Sequence, residues 1–304
     1  MNLSEKPRTP WLAAILSLFT VPLGQVYAGH FQRSVVIWIV GQILLTAVLF
    51  LAVATSLGRV AAILVLLCPV LYQVFQAVDA FRLAQRNRHS PRRNYQRWWV
   101  YILVGILFLG ANGVAMFVVR TFIVEPFVIP SGSMSPTIEP GDYMLVEKYD
   151  VRPKNLRPND LVVFRSEGPD SPFFVMRLVG LPGDVVEIKR GQVWVNGLAW
   201  QDDHAVFGGP LPSNPGLLIA PPPSTWGFEN YGPITVPQDS FFVLGDNRRN
   251  SRDSRFLGSI PFSSLHGKAR VIYWSRERSF PNPQDKSPYT LARIRWERIG
   301  SRLD

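Results

Sequence analysis

Three long stretches almost free of charge occupy most of the first 120 residues. Val35–Thr55 runs about 21 residues without a charged side chain. Val60–Ala80 is nearly as apolar, contains Pro69 and is polar only at Gln73, Gln76 and Asp79; Trp99–Val119 is the third. A helix of about 20 apolar residues matches the ~30 Å hydrocarbon layer of a bilayer, where a backbone must satisfy its own hydrogen bonds. The pattern predicts membrane helices and excludes a wholly soluble chain. Between the second and third stretches lie Arg82, Arg86, Arg88, Arg92, Arg93 and Arg97. Such a cluster marks a cytoplasmic loop, and Arg97-Trp98-Trp99 adds the cation and aromatic belt of an interface. With 82–97 cytoplasmic, the third stretch carries everything after Arg120 to the opposite side.

The net charge of +10 owes much to that cluster. No aromatic-interleaved basic groove or nucleic-acid module accompanies it, so nucleic acid is not an expected partner. Trp11–Gly29 reads two ways. Lys6 and Arg8 precede an apolar core, and Val26-Tyr27-Ala28 has the form of a signal-peptide cleavage site. Against that, Pro22 and Gly24 break the segment and further spans follow at once. The breaks favour a retained, irregular, re-entrant segment. Its topology stays open, because three full spans before the basic loop would put the N-terminus outside. A single cysteine, Cys68, excludes an intramolecular disulfide and a cysteine-based metal site. His30, His89, His204 and His266 show no ligand spacing. No metal or organic cofactor is implied.

From about Phe127 the character changes. The runs YMLVEKY, DLVVF, FFVMRLVG, VVEI, QVWVNG, SFFVLGD and ARVIYW are strand signals, punctuated by Gly, Pro, Asn and Asp. VVEIKRGQVWVNG predicts a hairpin closed at Lys189–Gln192. Residues 202–233, rich in Pro and Gly, predict an irregular surface loop, and 276–304 a basic, solvated tail near anionic lipid. The expected organisation is a membrane region over 1–97, with apolar segments near 11–29, 35–55 and 60–80 and the basic loop 82–97. A transmembrane helix over 98–120, a β domain over 121–275 and the tail follow. The fold class is N-terminal transmembrane α-helices followed by an all-β domain of antiparallel sheets.

Three segments of the β region carry chemistry: IPSGSMSPTIEPGD (129–142), GLPGD (180–184) and GDNRRNSRDSRFLG (245–258). Singly, each reads as a turn whose polar side chains bond their own backbone. Together, in this order and after a membrane span, they resemble the boxes of bacterial signal peptidase I, the membrane serine protease that removes signal peptides from exported proteins. The resemblance covers roughly Arg120 to Ala269. YGPITVP (231–237) and IRWERIG (294–300) also look like family features, whereas the three apolar segments before residue 82 are additional to the two-span arrangement expected of the family.

The resemblance implies roles residue by residue. Ser133 is the nucleophile, and Ser131 lends its hydroxyl to the oxyanion hole beside the Ser133 N–H. Met134 follows the nucleophile as the family pattern expects. Ser251 orients the general base. Asp253 and Arg255 form a structural pair, with Asp246 and Asn247 in the supporting turn. Phe127, Ile129, Met144, Phe174 and Val175 line shallow pockets that admit small residues at −1 and −3 of the substrate, the Ala-x-Ala rule. The implied partners are preprotein signal peptides, membrane lipid and secretion machinery. The implied location is the bacterial cytoplasmic membrane, crossed more than once, with the catalytic domain on the periplasmic side.

One position departs from the pattern. The family's general base is a lysine immediately before the Arg of the strand leading into GLPGD, and here Met176 precedes Arg177. A serine hydroxyl is a poor nucleophile unless a base takes its proton. A buried lysine serves because desolvation lowers its pKa toward neutrality. A thioether of the same unbranched reach holds no proton near pH 7. Arg177 faces the other side of the strand, Lys148 matches a scaffold position, Lys189 lies in the hairpin turn, and His204 and His266 fall outside the boxes. Two readings follow: a signal-peptide-cleaving serine endopeptidase, or a pseudoprotease that binds signal peptides or an active paralogue. Sequence leaves open whether Met176 is natural or engineered.

Overall fold

The computed structural model describes residues 7–18, 23–54, 58–91, 93–149, 151–165, 171–207, 229–277 and 293–303. The chain forms two compact units, 1–123 and 124–304.

The second unit is antiparallel throughout. Its larger sheet takes β1 (Val124–Val128), β2 (Asp142–Glu147), β3 (Leu161–Arg165), β4 (Phe173–Gly180), β9 (Ser240–Leu244), β10 (Ile260–Pro261) and β11 (Leu265–Ser275), in the order β1-β2-β11-β3-β4-β9-β10. The smaller takes β5 (Val185–Lys189), β6 (Gln192–Val195), β7 (Leu198–Ala199) and β8 (Tyr231–Thr235), in the order β7-β6-β5-β8. The large sheet curls. Phe127 of β1 and Phe173 of β4, with three strands between them in that order, meet with ring centroids 5.1 Å apart. The core inside the curl is aliphatic and aromatic, built from residues such as Ile138, Met144, Val162, Phe164, Met176 and Phe241. The β5–β6 hairpin closes at Lys189–Gln192, as the sequence predicts. Arg190 and Gly191 both take positive φ there (51° and 82°), the left-handed pair that a tight hairpin needs.

Two sequence expectations for this unit need correction. The loop expected over 202–233 ends earlier, because Tyr231–Thr235 is a strand paired with β5; residues 208–228 lie outside the described residues. The tail expected to be solvated is docked where it is described. Arg302 bridges Val271, Ile294 bridges Arg276, and Ile299 and Leu303 are buried. Residues 278–292 lie outside the described residues. A basic, short-period pattern gives no hint of such docking, since its apolar anchors are few and widely spaced.

The first unit is helical: α1 (Pro10–Leu18), α2 (Leu23–Tyr27), α3 (Phe31–Ala54), α4 (Gly58–Arg86) and α5 (Trp98–Phe122). Three helices are long and apolar enough to cross a membrane, over Phe31–Leu51, Ile63–Arg86 and Trp98–Phe122. Their outer faces are apolar all round, with Ile43, Leu71 and Leu107 all more than 60% exposed. Only lipid makes such a surface favourable. The basic segment expected as a loop from 82 begins as helix, since α4 continues through Arg82 to Arg86.

The broken segment before α3 has its own logic. α1 has nine residues and reaches only about 14 Å, half a bilayer. It packs on α4 through Ala13, Ala80, Leu83 and Ala84. α2 crosses it closely at Gly24, where a Cβ would stand 2.0 Å from the Ala13 carbonyl oxygen. Val26 and Ala28, the small residues of the apparent cleavage site, are fully buried. Both ends of the segment are tied to the same place. Arg8 donates to the carbonyls of Asn87, Ser90 and Pro91 and to Gln96. At the other end Asn87 donates to the Ala28 carbonyl, Gln96 to that of Tyr27 and Tyr95 to that of Gly29. The segment therefore leaves and returns at the end of the unit that carries the basic loop. Inside the fold its polar groups are paired: Gln25 bonds Ser17, the Gln76 carbonyl and Asp79, and Asp79 binds Arg33 at 2.6 Å. This geometry yields an expected outcome. In a Cys68→Ser background, Thr9→Cys and Ser90→Cys react with a membrane-impermeant thiol reagent from the same side of sealed vesicles; labelling from opposite sides would show that α1–α2 crosses.

Candidate active site

The site is assembled where three segments meet above the large sheet: the loop 129–142, strand β4 and the turn 245–258. Ser131 and Ser133 stand side by side on the first, their hydroxyl oxygens 3.3 Å apart. Ser131 is exposed and Ser133 half-buried, while Met134 is anchored in the core. The backbone of this short stretch is gripped by Asn247, whose N–H donates to the Ser133 carbonyl (3.0 Å) and whose side-chain amide donates to that of Gly132 (3.2 Å).

The turn that presents Asn247 is wound around a buried carboxylate. Asp253 is fully buried and accepts from the Gly245 N–H (3.0 Å), from the Arg255 N–H, where it caps the short helix α6 (Ser254–Leu257), and from the Arg255 guanidinium (2.8 Å). Arg255 in turn donates to the Arg248 carbonyl. Asp246 makes a bidentate pair with Arg177 of β4, at 2.8 and 2.7 Å, both side chains buried. Alternation along β4 thus places Arg177 on the turn and Met176 in the core.

Gly245 lets the segments approach. A Cβ there would stand 2.1 Å from the Ser251 hydroxyl oxygen and 2.8 Å from the Ser133 carbonyl oxygen. The β4–β9 register pairs Arg177 with Leu244, so its continuation by one residue brings Met176 alongside Gly245. Met176 is 1% exposed and lies in the same apolar cluster as Met134. Ser251 is fully buried, and its hydroxyl has no hydrogen-bond partner among the described residues. A buried hydroxyl without a partner costs about 1–3 kcal/mol, so folded chains rarely keep one.

The other basic side chains named by the sequence are committed elsewhere. Lys148 pairs with Glu125 (3.1 Å) and Lys189 with Glu187 (2.7 Å). His204 is exposed, two residues from Val206, which bridges Asn247 on the side away from the Asn247 N–H that holds Ser133. The Nε2–H of His266 donates at 2.8 Å to the carboxylate of Glu125, four residues along the chain before Ile129. Its ring sits between Phe127 and Phe173, with centroids 5.7 and 4.5 Å away. Burial pulls the His266 pKa below 6.5; Lys148 and Arg165 push the same way, and the bond to Glu125 only partly offsets them.

Of the five residues expected along the substrate groove, Phe127, Phe174 and Val175 are half-buried at the surface of the core. Ile129 and Met144 are 6% and 0% exposed and back that surface from within. Phe127 pairs in register with Met144.

Sequence reasoning missed one element that holds the site. Asp142, which ends the serine loop, is fully buried and accepts from Ser275 (2.6 Å), Arg295 (3.0 Å) and Arg298 (2.6 Å). Arg298 also donates to the carbonyls of Pro136 and Thr137, and Arg295 to that of Pro140. The docked end of the chain therefore straps down residues 136–142. The run IRWERIG was the available signal, but its partner is more than 150 residues away.

The sequence model of a family described as signal peptidase, peptidase S26, matches residues 96–274. Signal peptidase I of Leptolyngbya laminosa is 35% identical over 184 residues, spanning 58% of this chain and 82% of that protein. A probable signal peptidase I-2 of Synechocystis sp. is 36% identical over 161 residues, spanning 51% and 66%. Signal peptidase I of Pseudomonas aeruginosa is 32% identical over 213 residues, spanning 58% and 72%.

The orphaned hydroxyl makes a stability test. Ser251→Ala in the chain as it stands should leave thermal stability unchanged or raise it by about 1 kcal/mol, because it removes a desolvated group that bonds nothing. A clear loss would mean that Ser251 has a partner. His266 makes a second. With its folded pKa below the unfolded value, the unfolded chain binds the extra proton, so this contribution is intact above about pH 6.5 and is lost as pH falls through the lower folded pKa. The melting temperature in non-ionic detergent should fall less between pH 7 and pH 5 for His266→Gln than for the parent; parallel curves would contradict the assignment.

Proposed function

The chain belongs to the signal peptidase, peptidase S26, family, and from that premise we propose that its β domain is a serine endopeptidase scaffold for signal peptides whose general base has been replaced by Met176. In this reading a preprotein lies extended along Phe127, Phe174 and Val175, backed by Ile129 and Met144, and only small residues fit at −1 and −3. Ser133 Oγ faces the scissile carbonyl. The Ser131 hydroxyl and the Ser133 N–H receive the oxyanion. The proton of Ser133 has no acceptor at the base position, so the chain binds signal peptides and turns them over very slowly. The observation that carries this reading is the buried, unpartnered hydroxyl of Ser251 beside a buried methionine. A hydroxyl in that place is accounted for if it once oriented a lysine ammonium.

The membrane helices would hold this domain on the outer face of the cytoplasmic membrane. Support comes from the arginines of 86–97 at one end of α4 and α5, which the positive-inside rule places in the cytoplasm. From there α5 leads outward to Val124. The re-entrant pair α1–α2 then begins and ends on the cytoplasmic side, and three helices cross.

The decisive experiment restores the base. Purified in detergent with a preprotein bearing an Ala-x-Ala site, Met176→Lys should cleave faster than the parent by about 10⁴-fold or more, the usual loss when one member of such a unit is missing. Ser133→Ala in the Met176→Lys background should return cleavage to the parent's level. The parent should bind a signal peptide with a small −1 residue, and Val175→Trp should weaken that binding. Equal cleavage by parent and Met176→Lys would overturn the reading.

A further inference from the structure

A cleft of about 530 Å³ in the β unit is lined by Lys154, Arg157, Asn159, Asp160, Lys268 and Arg270, among others. Two of its four cations are spoken for. Lys268 Nζ is 2.8 Å from Asp160 Oδ2, and Arg270 pairs with Glu147 just behind the cleft. Lys154 and Arg157 are exposed at the rim and form no ion pair among the described residues. The same Asp160 carboxylate oxygen also accepts the Arg157 N–H at 2.6 Å, so it serves two donors. The Lys268 side chain is only 8% exposed, so an ammonium is held nearly dry at the cleft with a single carboxylate beside it. Desolvating an ammonium is expensive unless charge of opposite sign surrounds it. The cleft thus presents two positive charges beyond its carboxylates, a buried ammonium and the donors of two guanidinium groups, and its size is that of a small-ligand site.

We propose that this cleft binds a phosphate group. A tetrahedral oxyanion supplies several acceptor oxygens at once, and guanidinium groups meet it through paired N–H bonds. The phosphodiester of an anionic lipid headgroup and free inorganic phosphate share the chemistry the cleft selects.

The test uses the full chain in non-ionic detergent. Inorganic phosphate binding is measured by equilibrium dialysis, and retention of phosphatidylglycerol against phosphatidylcholine by native mass spectrometry. The double variant Lys154→Gln/Arg157→Gln changes only exposed side chains and should keep the fold. Each charge is worth about fivefold in anion affinity, so the pair should weaken binding by about twenty-five-fold. Arg88→Gln/Arg93→Gln, which removes two charges from the basic loop instead, should leave phosphate binding unchanged. Loss of retained phosphatidylglycerol in the cleft variant, without phosphate binding by the parent, identifies a lipid headgroup as the occupant. Loss of phosphate binding without a lipid preference identifies a soluble one. Absence of both in the parent, or binding that the cleft variant leaves intact, overturns the proposal.

Discussion

Asp253 has no exposed surface, and the candidate site is wound on it. A fully buried carboxylate is tolerated only when donors surround it. Here the donors come from Gly245 at the end of β9 and from Arg255, backbone and side chain, on the far side of the turn. Closing that ring fixes where residues 246–251 project. Asp246 reaches Arg177, Asn247 reaches the backbone of Gly132 and Ser133, and Ser251 is driven inward against Gly245. The polar density of GDNRRNSRDSRFLG thus serves two ends: Asp253 and Arg255 bond the turn to itself, and Asp246 and Asn247 bond it to two other segments.

In the proposed reading, an exchange of lysine for methionine at position 176 would be inexpensive for such a structure. A buried ammonium costs several kcal/mol of desolvation before any partner repays it. A fully buried methionine gains roughly 1.5–3 kcal/mol from apolar burial and keeps the same unbranched reach. Against this stands one orphaned hydroxyl at about 1–3 kcal/mol. The sum is near zero or favourable, so the fold has no reason to resist the change. What the change removes is proton affinity, a property that packing does not register. Stability and activity part company here, as they do wherever a functional group is strained or desolvated for its chemistry.

Much of the fold was legible because it rests on local periodicity. Charge-free runs gave the three long helices, and alternating or continuous apolar runs gave β2, β3, β4, β5, β6, β9 and β11. The elements that escaped are those whose reason for existing is distant. β8 carries two glycine and proline residues in its five and is a strand only because β5 lies beside it. Arg295 and Arg298 look like a solvated tail until Asp142 is placed between them. Arg8 looks like a flanking charge of an apolar segment until the carbonyls after α4 are brought to it. At the site, the serines and the odd methionine stood out in the sequence as residue types. The burial of Ile129 and Met144 and the unpartnered state of Ser251 did not: the first depends on how a curled sheet brings its first and fifth strands together, the second on how the turn around Asp253 presses Ser251 against Gly245.

Recognition and chemistry are held by different parts of this architecture. The surface proposed to receive a peptide is made by β1 and β4 and backed by residues of the core. The loop that carries Ser133 is fixed from two other directions, by Asn247 and by the Asp142–Arg295–Arg298 strap. Neither support passes through the side chain at 176. In the proposed reading a base at that position would act on Ser133, while the same side chain packs in the core that backs the groove. A methionine of the same unbranched reach would keep that packing and lack the proton affinity. The domain would then stay well packed, and its peptide surface in place, without a proton acceptor at 176.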